Sequence, residues 1–193
     1  MANTARRHRI ALVAGVVETS EEQGKAYNTL VAFGPDGARL AFYRKIHLFD
    51  AQGSEESTFI KPGPSTDPVV FEAGEASHSL TTCYDLRFPE LARSLADAGA
   101  QVLLVCSSWV PGNQKTEQWL ALNAARAIEN SVYVAGVCQA PPVSVGRSVL
   151  VDPMGVIETD LGLEPGMRPW MFRLRTVTRV REQFPMFRQR RLL

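Results

Sequence analysis

The chain has 193 residues, 45% of them hydrophobic, with 21 basic and 20 acidic residues and a formal charge of +1. That is enough apolar material for one packed domain and too much for a chain disordered as a whole. The near balance of charge gives no electrostatic reason to expect nucleic acid or an anionic membrane as partner, and no stretch approaches the length of an apolar span.

In chain order, residues 10–17 form an apolar, β-branched run that predicts a buried strand. The basic residues before it faintly mimic a signal peptide, but the run is short and its valines suit a strand better. Residues 28–33 and 38–43, joined by the turn GPDG, predict a hairpin. Residues 50–67 are rich in turn formers and predict a long loop, of the kind that tends to carry function. A second hairpin-like unit spans 69–72 and 79–83. The pattern then changes period: helix over 89–98, strand over 101–106, helix over 116–130, strand over 132–138. Strands alternating with helices at this spacing mean βαβ units with right-handed crossovers. A last hairpin is expected over 148–151 and 156–159, then a strand at 170–174 and a short helix at 177–183. The tail RQRRLL reads as a solvated end.

Three cysteines, Cys83, Cys106 and Cys138, leave an odd one and show no CxxC spacing. A disulfide framework is therefore not expected, which points to a reducing, cytoplasmic setting. His8, His47 and His78 are scattered, so no metal site is expected. Cys83 ends a strand just before a helix, at the sheet edge where open α/β folds bind ligands. The helix N-terminus favours thiolate and offers N–H groups to an oxyanion. Position alone leaves two readings, a buried thiol or a nucleophile. His47 and His78 are candidate bases, although neither follows a cysteine–histidine hydrolase pattern. The chain uses only four lysines, Lys25, Lys45, Lys61 and Lys115, against 17 arginines. Such bias suggests that lysine is kept where arginine will not serve. Lys45, closing a strand in FYRKIHLFD, is either a solvated strand end or a compact charge beside a thiol.

The ordered segments FYRKIHLFD, ESTFIKPG, TTCYDLRFPELAR, SSWVPGNQKTEQWLALNAARAIENSVYVAG and GRSVLVDPMG resemble the nitrilase superfamily of carbon–nitrogen hydrolases. The likeness runs from about residue 10 to the tail, and RKIHLFD and CYDLRFPEL look most like the branch holding deaminated-glutathione amidase and ω-amidase. It implies an α/β fold, a four-layer α-β-β-α sandwich, as a single domain over 1–193 with a C-terminal arm at 176–193. It also implies a homo-oligomer, commonly a dimer through helices near the nucleophile, that takes a small amide and needs no cofactor. Carried over by motif, the nucleophile is Cys83, the lysine Lys45 and the loop glutamate Glu56, with Glu55 the weaker match. Lys45 and the backbone N–H of Tyr84 are expected at the oxyanion. Arg87 is expected to meet a substrate carboxylate or, failing that, a local acid such as Glu90. The family's first glutamate, its general base, lies on a strand ahead of the region resembled by residues 10–17. No motif puts Glu18 or Glu21 in that role. The expectation is therefore a chain lacking the family's first strand, helix and glutamate-bearing strand, either as part of a longer amidase or as a truncated relative that binds rather than turns over.

Overall fold

A computed structural model describes residues 1–192. A short helix, α1 (Ala2–His8), leads into a three-stranded antiparallel sheet of β1 (Leu12–Thr19), β2 (Ala26–Phe33) and β3 (Arg39–Arg44), paired in that order. The GPDG turn joins β2 to β3, and Gly37 there takes φ 80°, where a side chain would be strained. A six-stranded sheet follows, built from β4 (Val70–Ala73), β5 (Ala76–Thr82), β6 (Val102–Ser107), β7 (Tyr133–Cys138), β8 (Val149–Val151) and β9 (Ile157–Asp160). Its strands lie in sequence order. β5, β6 and β7 are parallel, with crossovers through α2 (Pro89–Asp97) and α3 (Lys115–Asn130), and the outer pairs are antiparallel. Hairpins flanking βαβ units thus give the mixed α/β sheet that the change of period predicts.

Strand alternation divides the larger sheet into two faces. Register puts Leu80 beside Leu104 on the face toward the small sheet, where β5 meets β2 and β3. Leu103, Val105 and Val134 point the other way, under α2 and α3, among Leu95, Trp119 and Ala127. The approach of α3 is close. A Cβ on Gly136 would lie 2.5 Å from Asn123 Oδ1 and 2.8 Å from the Trp119 ring. Two further helices, α4 (Leu174–Gln183) and α5 (Met186–Gln189), follow. Arg181 of α4 donates to the carbonyls of Ala100 and Ser131, just ahead of β6 and β7, and so ties α4 to the far end of the sheet from the cysteine. No helix among the described residues is long and apolar enough to cross a membrane.

Two expectations are corrected. The run at 10–17 does form a strand, β1, but none of its residues is buried, and Val17 is 79% exposed. β1 pairs only with β2 among the described residues, so it is an edge, and burial depends on neighbours that sequence pattern does not specify. Residues 170–173 are irregular, with Met171 exposed, and residue 174 opens α4 instead of ending a strand. Apolar content there finds no strand to pair with.

Candidate active site

β5, β6 and β7 deliver their C-terminal ends to one place, the usual ligand edge of a parallel sheet. Thr82 and Cys83, residues 106–108 and residues 137–139 line a cavity of about 730 Å³ there. Cys83 starts a 3₁₀ turn (Cys83–Arg87) and takes φ 51°, the left-handed region that a side chain normally avoids. Such strain costs about 1–3 kcal/mol and persists only where the surroundings enforce it. Here the Cys83 N–H donates to Ser107 Oγ at 3.2 Å, and Sγ lies 3.5 Å from the Ser108 carbonyl. Asp85, fully buried, fastens the turn from below. It accepts from Thr82 N–H (3.0 Å) and Tyr43 O–H (2.7 Å) and contacts His47 Nδ1 (2.7 Å). Burial, then the charge of Asp85, raises the Tyr43 phenol well above its usual range, so Tyr43 stays a donor. One carboxylate therefore locks the YRKIH segment onto the cysteine turn.

Lys45, only 2% exposed, follows β3 and pairs with Glu56, which the loop 50–67 brings back into the cavity on a 3₁₀ turn (Glu56–Thr58). Glu56 also accepts from the Phe49 N–H at 2.7 Å, and Asn28 Nδ2 lies 3.5 Å away. Gly63 explains the Pro-Gly pair after the loop. Its N–H donates to the Lys45 carbonyl at 2.8 Å, and a Cβ at Gly63 would strike the Arg44 carbonyl oxygen at 2.5 Å. The three motif residues Lys45, Glu56 and Cys83, far apart in sequence, thus share one cavity. Their electrostatics correct the expectation of a thiolate. Burial pushes the Cys83 thiol up to about 11. Lys45 pulls against that and Glu56 pushes with it. Desolvation outweighs the dipole of a turn only five residues long.

The other candidates lie elsewhere. Glu18 pairs with Arg44 and accepts from Thr29 Oγ1, and Glu21 pairs with Lys61 and Tyr27, so neither enters the cavity. Glu55 is exposed. His47 is committed to Asp85 and stacks on Phe88 at 3.7 Å. His78 binds the Ala76 carbonyl near the opposite end of β5. Cys106 and Cys138 are more than core residues, because both line the cavity, and all three cysteines are free. Arg87 makes no salt bridge with Glu90. It donates to Gln118 Oε1, sits 5.0 Å from the Trp109 ring centroid and lines neither cavity at Cys83. Sequence reasoning gave no role to Asp85, which reads as an ordinary first-turn acid, or to Lys115, which reads as a solvated helix start.

An α/β sheet whose strand-to-helix elbow carries a strained cysteine, facing a buried lysine–glutamate pair, is a frame suited to thiol chemistry on an electrophilic carbon. The chain belongs to the carbon–nitrogen hydrolase family, whose model matches residues 1–167. It is 39% identical to a hydrolase of Mycobacterium tuberculosis over 81% of this chain and 60% of that protein, so it spans about three-fifths of that relative's length. It is 36% identical to human omega-amidase NIT2, over 99% of this chain and 71% of the relative. The Caenorhabditis elegans NitFhit crystal structure superposes with a TM-score of 0.90 at 33% identity, covering 98% of this chain and 48% of that one. The superfamily and its α/β fold are those the motifs point to.

Proposed function

We propose that this site hydrolyses a small linear amide to an acid and ammonia through a thioester on Cys83. The observation that carries the reading is the convergence of Lys45, Glu56 and Cys83, from three separate segments, on one cavity. Sγ of Cys83 forms a bond to the carbonyl carbon. The oxyanion falls to the Lys45 ammonium and the Tyr84 N–H, which as a first-turn donor has no acceptor within its own turn. Collapse breaks the C–N bond and releases ammonia. Water then attacks the thioester, frees the acid and returns the thiol. Glu56 holds the ammonium in place. The thiol proton needs a further base, because Glu56 is the only acidic residue lining the cavity among the described residues. The family resemblance assigns that role to a glutamate on a strand ahead of β1, and the cavity is open along β1. Residues 13–17 all border it, although alternate residues of a strand point to opposite faces, so the cavity meets the strand's edge. We also read the chain as one domain with a C-terminal arm, working as a homo-oligomer in the cytoplasm.

The same open edge and single paired carboxylate favour a second reading, a binding or oligomerisation module in which Cys83 is acylated without turnover. Ammonia release from small ω-amides separates the two. It is measured for the 193-residue chain, for the chain with whatever its gene encodes upstream, and for Cys83→Ala in each. Equal rates for parent and Cys83→Ala in both forms sink the amidase reading, and robust turnover by the 193-residue chain sinks the module.

A further inference from the structure

Three of the four lysines are paired with carboxylates: Lys25 with Glu22, Lys45 with Glu56 and Lys61 with Glu21. Lys115 makes no such pair among the described residues, yet it is as buried as Lys45, at 2% exposure. Its Nζ lies 4.9 Å from the Phe49 ring centroid and 4.8 Å from that of Trp109. Aromatic faces attract an ammonium but accept none of its three hydrogen bonds in the ordinary way. An ammonium on a side chain so little exposed has few of its hydrogen bonds met by water, which is costly unless an acceptor reaches it. The second positive group nearby, Arg87, also pairs with no acid among the described residues. Its one side-chain partner is the neutral Gln118. Burial and then repulsion from Arg87 both lower the Lys115 pKa, whereas Cys83 opposes them.

Lys115 also shares space with the nucleophile. A small pocket of about 10 Å³, lined by Phe49, Cys83, Tyr84, Trp109, Val110 and Lys115, adjoins the main cavity, with which it shares Phe49, Cys83 and Val110. It has room for one oxygen atom and no more. The main cavity would hold the rest of a substrate.

We propose that Lys115 is a specificity-determining residue that receives a carboxylate oxygen of the substrate's acyl portion in this small pocket, so that the site selects amides bearing an anionic group. Arg87 adds positive potential without touching the substrate. This inference rests on the amidase reading for the identity of the ligand, but not on turnover. It replaces the expectation that Arg87 itself makes the contact.

The test uses Cys83→Ala protein, so that binding is read without chemistry. Calorimetric titration compares the monoamide of a four-carbon dicarboxylic acid with neutral butyramide. The anionic amide is expected to bind about tenfold tighter, the gain of a charge-assisted hydrogen bond. Lys115→Met in the same background is expected to erase that preference and Lys115→Arg to keep part of it, with circular dichroism checking that each variant folds. Equal binding of the two ligands by the parent overturns the proposal without needing any variant, and so does a preference that survives Lys115→Met. Failure of both ligands to bind overturns it together with the amidase reading. An intact carboxylate preference in a chain that never releases ammonia supports the proposal and sinks only the amidase reading.

Discussion

On one wall of the cavity the polar groups are partnered and buried: Lys45 on Glu56, the Cys83 N–H on Ser107, and Asp85 beneath them holding Tyr43, His47 and Thr82. The opposite side is the edge of β1 at residues 13–17, apolar or glycine throughout and, among the described residues, without a partner strand. Glu18, at the end of that strand, turns to Arg44 and Thr29. The difference teaches that, on the amidase reading, the nucleophile comes from the larger sheet and the lysine–glutamate pair from the segment after β3, whereas β1 brings no acid to the cavity among the described residues. Burial holds the thiol at about 11, with Lys45 pulling against it and Glu56 pushing with it.

The strongest way to break this contrast is to disarm the partnered wall. Lys45→Met leaves Glu56 charged and half of a buried pair, which typically costs about 3–5 kcal/mol. It also removes the oxyanion donor proposed above, a group of a kind worth about 10²–10³ in turnover. Thermal denaturation and ammonia release should therefore both fall sharply. Adding Glu56→Gln should restore much of the melting temperature and none of the activity. Recovery of activity in the double variant would show that the pair is structural only.

Next in size is the pH dependence of Cys83 alkylation by iodoacetamide. The thiol's folded pKa is raised, so the neutral form is favoured and thiolate appears only as the pH climbs toward about 11. At neutral pH this leaves roughly a hundredfold less thiolate than an unperturbed cysteine has. The alkylation rate should rise about tenfold per pH unit above 7, without a plateau before pH 10. A plateau near neutrality would mean that a base reaches the thiol from β1's side after all.

Asp85→Asn tests whether the partnered wall depends on one hub. The substitution keeps the shape but weakens the bonds from Tyr43 and Thr82 and the contact with His47, a loss of about 1–3 kcal/mol. Melting temperature should drop, and whatever turnover is present should fall with it, as the YRKIH segment loosens from the cysteine turn. That this acid matters could not be read from CYDLRFPEL, where an aspartate two residues into a helix start looks like ordinary dipole chemistry. The parallel core was legible, because apolar period and turn residues mark β6, β7 and the two crossovers within a residue, although β5 starts three residues before its expected bound. Lys45, Glu56 and Cys83 were legible as motif positions. The raised thiol, the hub at Asp85 and the unpaired Lys115 were not, since burial and partners are set by segments distant in sequence. β1 fails for the same reason: its valines read as buried, but only a neighbouring strand would bury them.

The smallest effect sharpens the other wall. Val17 lies on β1 at 79% exposure, so Val17→Ser removes almost no buried apolar area and should change stability by no more than about 0.5 kcal/mol. The strand pairing Val17 with Asn28 depends on backbone groups that serine keeps. A shift of several degrees in melting temperature would therefore have one physical source: the edge is covered in solution, and Val17 packs against whatever covers it. Repeating the melt over a hundredfold range of protein concentration then decides the identity of the cover. A second copy makes the transition concentration-dependent through mass action, whereas a segment of the same chain does not.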